Sequence, residues 1–123
     1  LVHLGTNDVF YKKSNEEIAQ QLEATVKTLR ADNPRAVILL AQVIPSSKNA
    51  AIAQSLISMN AMIAGLAEDL SSRKSPIIVV DQHSGFDIAA DSYDGVHPNA
   101  SGEEKMAQRW FEAIERALPL VNR

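Results

Sequence analysis

The chain contains no cysteine. This excludes a disulfide framework, a thiolate metal site and a cysteine nucleophile together, and leaves the compartment open. Basic charge is not in excess either: twelve Lys and Arg against fifteen Asp and Glu give a net charge of −3. With the two signs interspersed, no basic stripe faces a phosphate backbone, so nucleic acid is not an expected partner. No apolar run reaches the ~20 residues of a bilayer-crossing helix, so no membrane is expected. Neither Gly-x-Gly-x-x-Gly nor a phosphate-loop lysine motif occurs, which argues against a nucleotide-binding domain. An initiating methionine and a signal peptide are also missing. The chain starts inside Leu1-Val2-His3-Leu4-Gly5, which reads as a strand already under way and is expected to belong to something longer.

What is present suffices for one domain with a real core: 123 residues, 46% of them apolar. Leu1 to Gly5 predicts a strand that opens into a loop at Gly5-Thr6-Asn7-Asp8. Ser14-Asn15-Glu16-Glu17 matches a capping box. Ile18, Leu22, Val26 and Leu29 then keep helical spacing, with Glu16, Gln20, Glu23, Lys27 and Arg30 on the solvated face, until Asn33-Pro34 stops the helix. Ala36 to Ile44 is apolar nearly throughout, as a central parallel strand covered on both faces would be. Ile52, Leu56, Met59, Ile63, Leu66 and Leu70 mark a long amphipathic helix, in which Met59 and Met62 read as core filler. Pro76 to Val80 predicts a third strand, Asp81 to Tyr93 a long irregular loop, and about Ser101 to Leu118 a last helix ended by Pro119. In that helix Met106, Trp110, Ala113 and Ala117 are expected to face inward. Strands alternating with helices predict an α/β fold with a parallel sheet, whose loops at the strand C-terminal ends share one rim.

The chemistry concentrates at Asp94-Gly95-Val96-His97-Pro98-Asn99. An imidazole shuttles protons near neutrality, and a carboxylate on its other nitrogen fixes tautomer and orientation. Gly95 and Pro98 favour a loop, in which glycine lets Asp94 turn back toward the ring. The same residues also suit a plain turn in which Asp94 caps a backbone amide. Asn7 sits just past the first strand, where its amide suits an oxyanion hole or an Asx turn. Asp8 reads as structural, holding the loop through backbone amides. His3 reads as a partly buried structural residue, and His83 as a residue of the rim for which substrate contact is the less common of its readings. Phe86 and Tyr93 suit either a sugar-facing surface or packing of the loop. Asp81, His83, Asp94 and His97 match no metal motif, and Asp87 and Asp91 lack EF-hand spacing, so no metal or other cofactor is expected.

Gly5-Thr6-Asn7-Asp8 after a strand, with Asp94-Gly95-Val96-His97 before the last helix, resembles the SGNH (GDSL-type) hydrolases. These are serine esterases on a three-layer flavodoxin-like sheet. Val80-Asp81-Gln82-His83-Ser84-Gly85-Phe86-Asp87, followed by Tyr93 to Asn99, is most similar to carbohydrate esterase family 3, secreted enzymes that deacetylate xylan. The resemblance implies His97 as general base, Asp94 as its orienting partner and Asn7 as oxyanion donor, with an acetylated carbohydrate as substrate. The family's Gly-Asp-Ser block and its second oxyanion block are not found. Ser14 and Ser101 read as helix caps, Ser46 and Ser47 lie in a crossover, and Ser92 precedes a turn. Residues 1–123 are therefore read as the C-terminal part of one SGNH domain, lacking its first two strands and inactive by itself. Its Leu1–Leu4 edge is expected to pair with an N-terminal fragment or with a second copy. A catalytically inert α/β module used for assembly or binding is the alternative.

Overall fold

The computed structural model describes residues 1–121. Its sheet is built on β1 (Ile38–Gln42) and β2 (Ile77–Asp81), which run parallel with Ile38 opposite Ile77 and Gln42 opposite Asp81. On the far side of β1, Val2 forms a single parallel bridge with Leu40. Its N–H donates to Leu39 O and its carbonyl accepts from the Ala41 N–H, each at 2.8 Å. The predicted first strand is thus reduced to one bridge. With a neighbour on one side only, little holds its flanks in a ladder.

Gly5 then leads into a short helix, α1 (Thr6–Phe10), where a loop was expected. Its φ of 120° is open to glycine, and a Cβ there would lie 2.7 Å from Met59 Sδ. Helix α2 (Asn15–Asp32) starts as its sequence predicts. Ser14 Oγ accepts from the Glu17 N–H at 3.2 Å while Glu17 Oε2 accepts from the Ser14 N–H at 2.8 Å. Ile18, Leu22 and Val26 are buried, but Leu29 is 40% exposed. Arg30, expected in solvent, takes over at that end. Its guanidinium donates to Ser75 Oγ at 2.8 Å, Ser75 O at 2.7 Å and Leu70 O at 2.8 Å. The helix has reached the strand-entry side, where carbonyls rather than methyl groups need a partner.

Helix α3 (Ala50–Leu70) packs Leu56, Met59 and Ile63, all fully buried, into the core formed with α2 and β1. Full burial of each contributes about 1.5–3 kcal/mol. By length and mean composition this helix is apolar enough to cross a bilayer, although Gln54, Ser55, Ser58 and Asn60 interrupt its apolar residues. On the opposite face of the sheet, α5 (Ala100–Val121) lays Ala113 and Ala117 against Leu39, Ala41 and Val80. It runs through Pro119, because in a last turn a proline forfeits one hydrogen bond without stopping the helix. A four-residue helix, α4 (Ile88–Asp91), interrupts the segment expected to be irregular.

Candidate active site

Because Val2, β1 and β2 are parallel, the segments after Leu4, Gln42 and Asp81 leave the sheet on one rim. The Asp94–His97 turn joins that rim through Gly95, whose carbonyl accepts from Ser46 Oγ at 2.9 Å and from the Ser47 N–H at 3.0 Å.

The turn is closed by an antiparallel bridge between Ser92 and Pro98. Within it Gly95 takes a φ of 79°. That kink brings Asp94 back over the chain. Asp94 Oδ1 accepts from the N–H groups of Val96 (2.9 Å) and His97 (2.7 Å), and Oδ2 lies 2.7 Å from His97 Nδ1. Both sequence readings of Asp94 are therefore met at once: one oxygen caps the turn and the other holds the ring. The His97 side chain is 63% exposed and its ring stacks on Tyr93, with centroids 5.9 Å apart. With Nδ1 occupied, Nε2 is the nitrogen left for chemistry.

The His97 amide, then its imidazole, hold the Asp94 carboxyl at about 2 against the upward push of desolvation, and the Val96 amide adds to them. The folded value is depressed, so the stabilisation it gives is complete above the ordinary carboxylate range and lost as pH falls through the folded value. We expect the Asp94 carboxyl carbon to titrate by NMR near 2 in the folded chain. A midpoint at its ordinary value of 3.8 would show that the turn does not form in solution.

Sequence reasoning missed the support behind this turn. Asp91 is 1% exposed. It accepts from Lys105 Nζ at 2.6 Å, the Asp87 N–H at 2.7 Å and Ser101 Oγ at 2.9 Å. The Lys105 ammonium is the foremost of the groups that draw its carboxyl below the usual range. Asn99, rather than Ser101, caps α5: its Oδ1 accepts from the Gly102 N–H at 3.1 Å. Its Nδ2 donates to Ala90 O at 2.8 Å. Nor did an apolar pattern reveal Asn60, 5% exposed in the middle of α3. Asn60 Oδ1 accepts from the Val43 N–H at 2.7 Å and its Nδ2 donates to Val43 O at 2.9 Å, as a neighbouring strand would. His83 Nδ1 lies 3.2 Å from the same Nδ2, so this rim histidine is tied to the core amide.

Asn7 lies in the first turn of α1 with its side chain exposed, and no hydrogen bond joins it to Asp94 or His97 among the described residues. Asp8 pairs with Lys13 Nζ at 2.7 Å, and among the described residues its side chain accepts from no backbone amide. His3 is partly buried, edge-on to Trp110, and burial lowers its pKa; its Nε2 finds no partner among the described residues. Phe86 is buried and Tyr93 is exposed. Asp81 binds the amides of His83 and Ser84, each at 2.9 Å, and among the described residues no three metal-ligating side chains converge. A hollow of about 530 Å³ beside Gln82, Phe86, Lys105 and Arg109 does not include the dyad, which stands on an open rim.

The GDSL-like lipase/acylhydrolase family model matches residues 1–105. The chain belongs to this family. A multidomain esterase of Ruminococcus flavefaciens is 34% identical over 125 residues, which is 96% of this chain and 16% of that protein. Two solved structures superpose with a TM-score of 0.84 at 26% identity. One is a serine-to-alanine mutant of an acetyl esterase with acetate ion, and the other is a carbohydrate esterase family 3 protein from Talaromyces cellulolyticus. They cover 98% and 97% of this chain, which spans 56% of each of theirs. The mixed α/β architecture with a parallel sheet is thus that of the GDSL-type esterases.

Proposed function

We propose that residues 1–123 carry the acid–base half of a secreted SGNH serine esterase that deacetylates xylan or a related carbohydrate. The observation that carries this reading is the 2.7 Å contact between Asp94 Oδ2 and Nδ1 of an exposed imidazole. In the complete site a serine hydroxyl, supplied by a segment outside these residues, attacks the ester carbonyl and gives its proton to His97 Nε2. The Asn7 amide donates to the tetrahedral oxyanion. The bond from carbon to the sugar oxygen then breaks as His97 gives its proton to that oxygen, which leaves as a sugar hydroxyl, and a second cycle with water releases acetate and restores the serine. Exposed Tyr93, stacked on the base, offers an apolar face to the sugar ring. We place the serine-bearing segment against the Leu1–Leu4 edge, where Leu1 is 72% and Leu4 52% exposed.

That same edge favours the second reading, a module that assembles without catalysing. One comparison separates them: hydrolysis of an acetylated xylo-oligosaccharide by this chain alone and with upstream sequence restored. Activity on restoration only is the expected result. A folded, restored protein without activity would leave the assembly module.

A further inference from the structure

We infer that Ser46 is a positioning residue for the Asp94–His97 dyad, acting through the carbonyl of Gly95. The consequence for turnover rests on the esterase reading; the effect on the ring does not.

The turn is held both at its ends and from within. Its two ends are anchored: Ser92 and Pro98 bridge each other, and Asn99 is tied to the α4 segment. Between those anchors the turn holds itself together, since Asp94 bonds the amides of Val96 and His97 and Ser92 Oγ accepts from the Gly95 N–H at 2.8 Å. Such internal bonds preserve the shape of the tip but not its direction. The His97 side chain is 63% exposed and stacks on Tyr93, itself 71% exposed, so packing does not direct it either. Among the described residues, the hydrogen bonds from the body of the domain to the tip are the two received by Gly95 O, from Ser46 Oγ and the Ser47 N–H.

Ser46 is built for this. It is 5% exposed, and its hydroxyl also accepts from the Lys48 N–H at 3.2 Å, which orients the donated proton toward Gly95. It follows β1 through Val43, whose backbone is clamped by Asn60. A rigid strand end therefore reaches the dyad through this hydroxyl and the adjacent Ser47 amide, and the hydroxyl is the one a side-chain change can remove. Gly95 completes the fit, because a Cβ there would collide with Ser47 Oγ. In a site where a displacement of about 1 Å costs about 100-fold in rate, one directional bond at the tip has leverage.

The test is Ser46→Ala, with Ser46→Thr to restore the hydroxyl. In the 123-residue chain, the proton NMR signal of His97 Nδ1–H bonded to Asp94 is expected to broaden or vanish in the alanine variant and return in the threonine variant. In the restored esterase, kcat should fall about 10- to 100-fold in Ser46→Ala with KM within about twofold. An unchanged signal in a folded Ser46→Ala chain overturns the inference. A changed signal in a restored protein that has no activity would retain the positioning role and reject the esterase reading. Should Ser46→Ala not fold, hydrogen exchange on the unaltered chain decides. The Ser47 amide must exchange as slowly as that of Val43; fast exchange at Ser47 ends the argument.

Discussion

Replacing His97 with alanine in the restored esterase is expected to lower kcat by about 10⁴-fold or more while leaving the fold intact. The first half follows from chemistry. A serine hydroxyl is a poor nucleophile until a base takes its proton, and the members of such a unit fail together when one is lost. The second half follows from exposure. The ring stands 63% in solvent and its partners are Asp94 and the exposed Tyr93, so no core packing is removed. Surface changes of this kind usually stay within about 0.5 kcal/mol. Steady-state kinetics beside a thermal melt checks both halves. Near-native turnover would remove His97 from the mechanism, and a large drop in melting temperature would mean that the ring serves the fold.

Gly102→Ala should be destabilising although it replaces glycine by alanine inside a helix. On propensity alone the change would stabilise by about 1 kcal/mol. But a Cβ at position 102 would meet the Asp91 backbone carbonyl and sit 2.9 Å from the Phe86 ring. Neither neighbour can yield cheaply: the carbonyl belongs to the support of the turn, and Phe86 is buried. Overpacking costs about 1–3 kcal/mol and more when backbone must move, so the collision wins. A net loss of about 2 kcal/mol would lower the melting temperature by several degrees. A higher melting temperature in this variant would show that α5 does not approach α4 as closely as described.

Much of this was legible in the residues. The capping box of α2 forms both of its bonds, the unalternating stretch around Ile38 becomes the central strand, and Asp94 meets His97 across Gly95. These are features whose partners lie within a few positions, or whose apolar pattern has one solution. What escaped depends on partners far away. Leu1–Leu4 has the composition of a strand, yet a ladder needs two chains, and Val2 alone finds one. Gly5-Thr6-Asn7-Asp8 contains turn formers that equally well open a helix, and the structure has the helix, with Gly5 at its start close against Met59. Ser101 looks like a cap, but Asp91 claims its hydroxyl and Asn99 does the capping. Arg30 looks solvated until Leu70 and Ser75, some forty positions on, bring their carbonyls to it.

Asn60 carries one further consequence. By matching the donor and acceptor of Val43 from the middle of α3, it fastens the longest apolar helix to the loops where the dyad is held. The rim that carries the dyad therefore has no independent thermal life. Heat or denaturant that frees α3 also releases Val43 and Ser46 beyond it, so scaffold and dyad are expected to melt in one cooperative step.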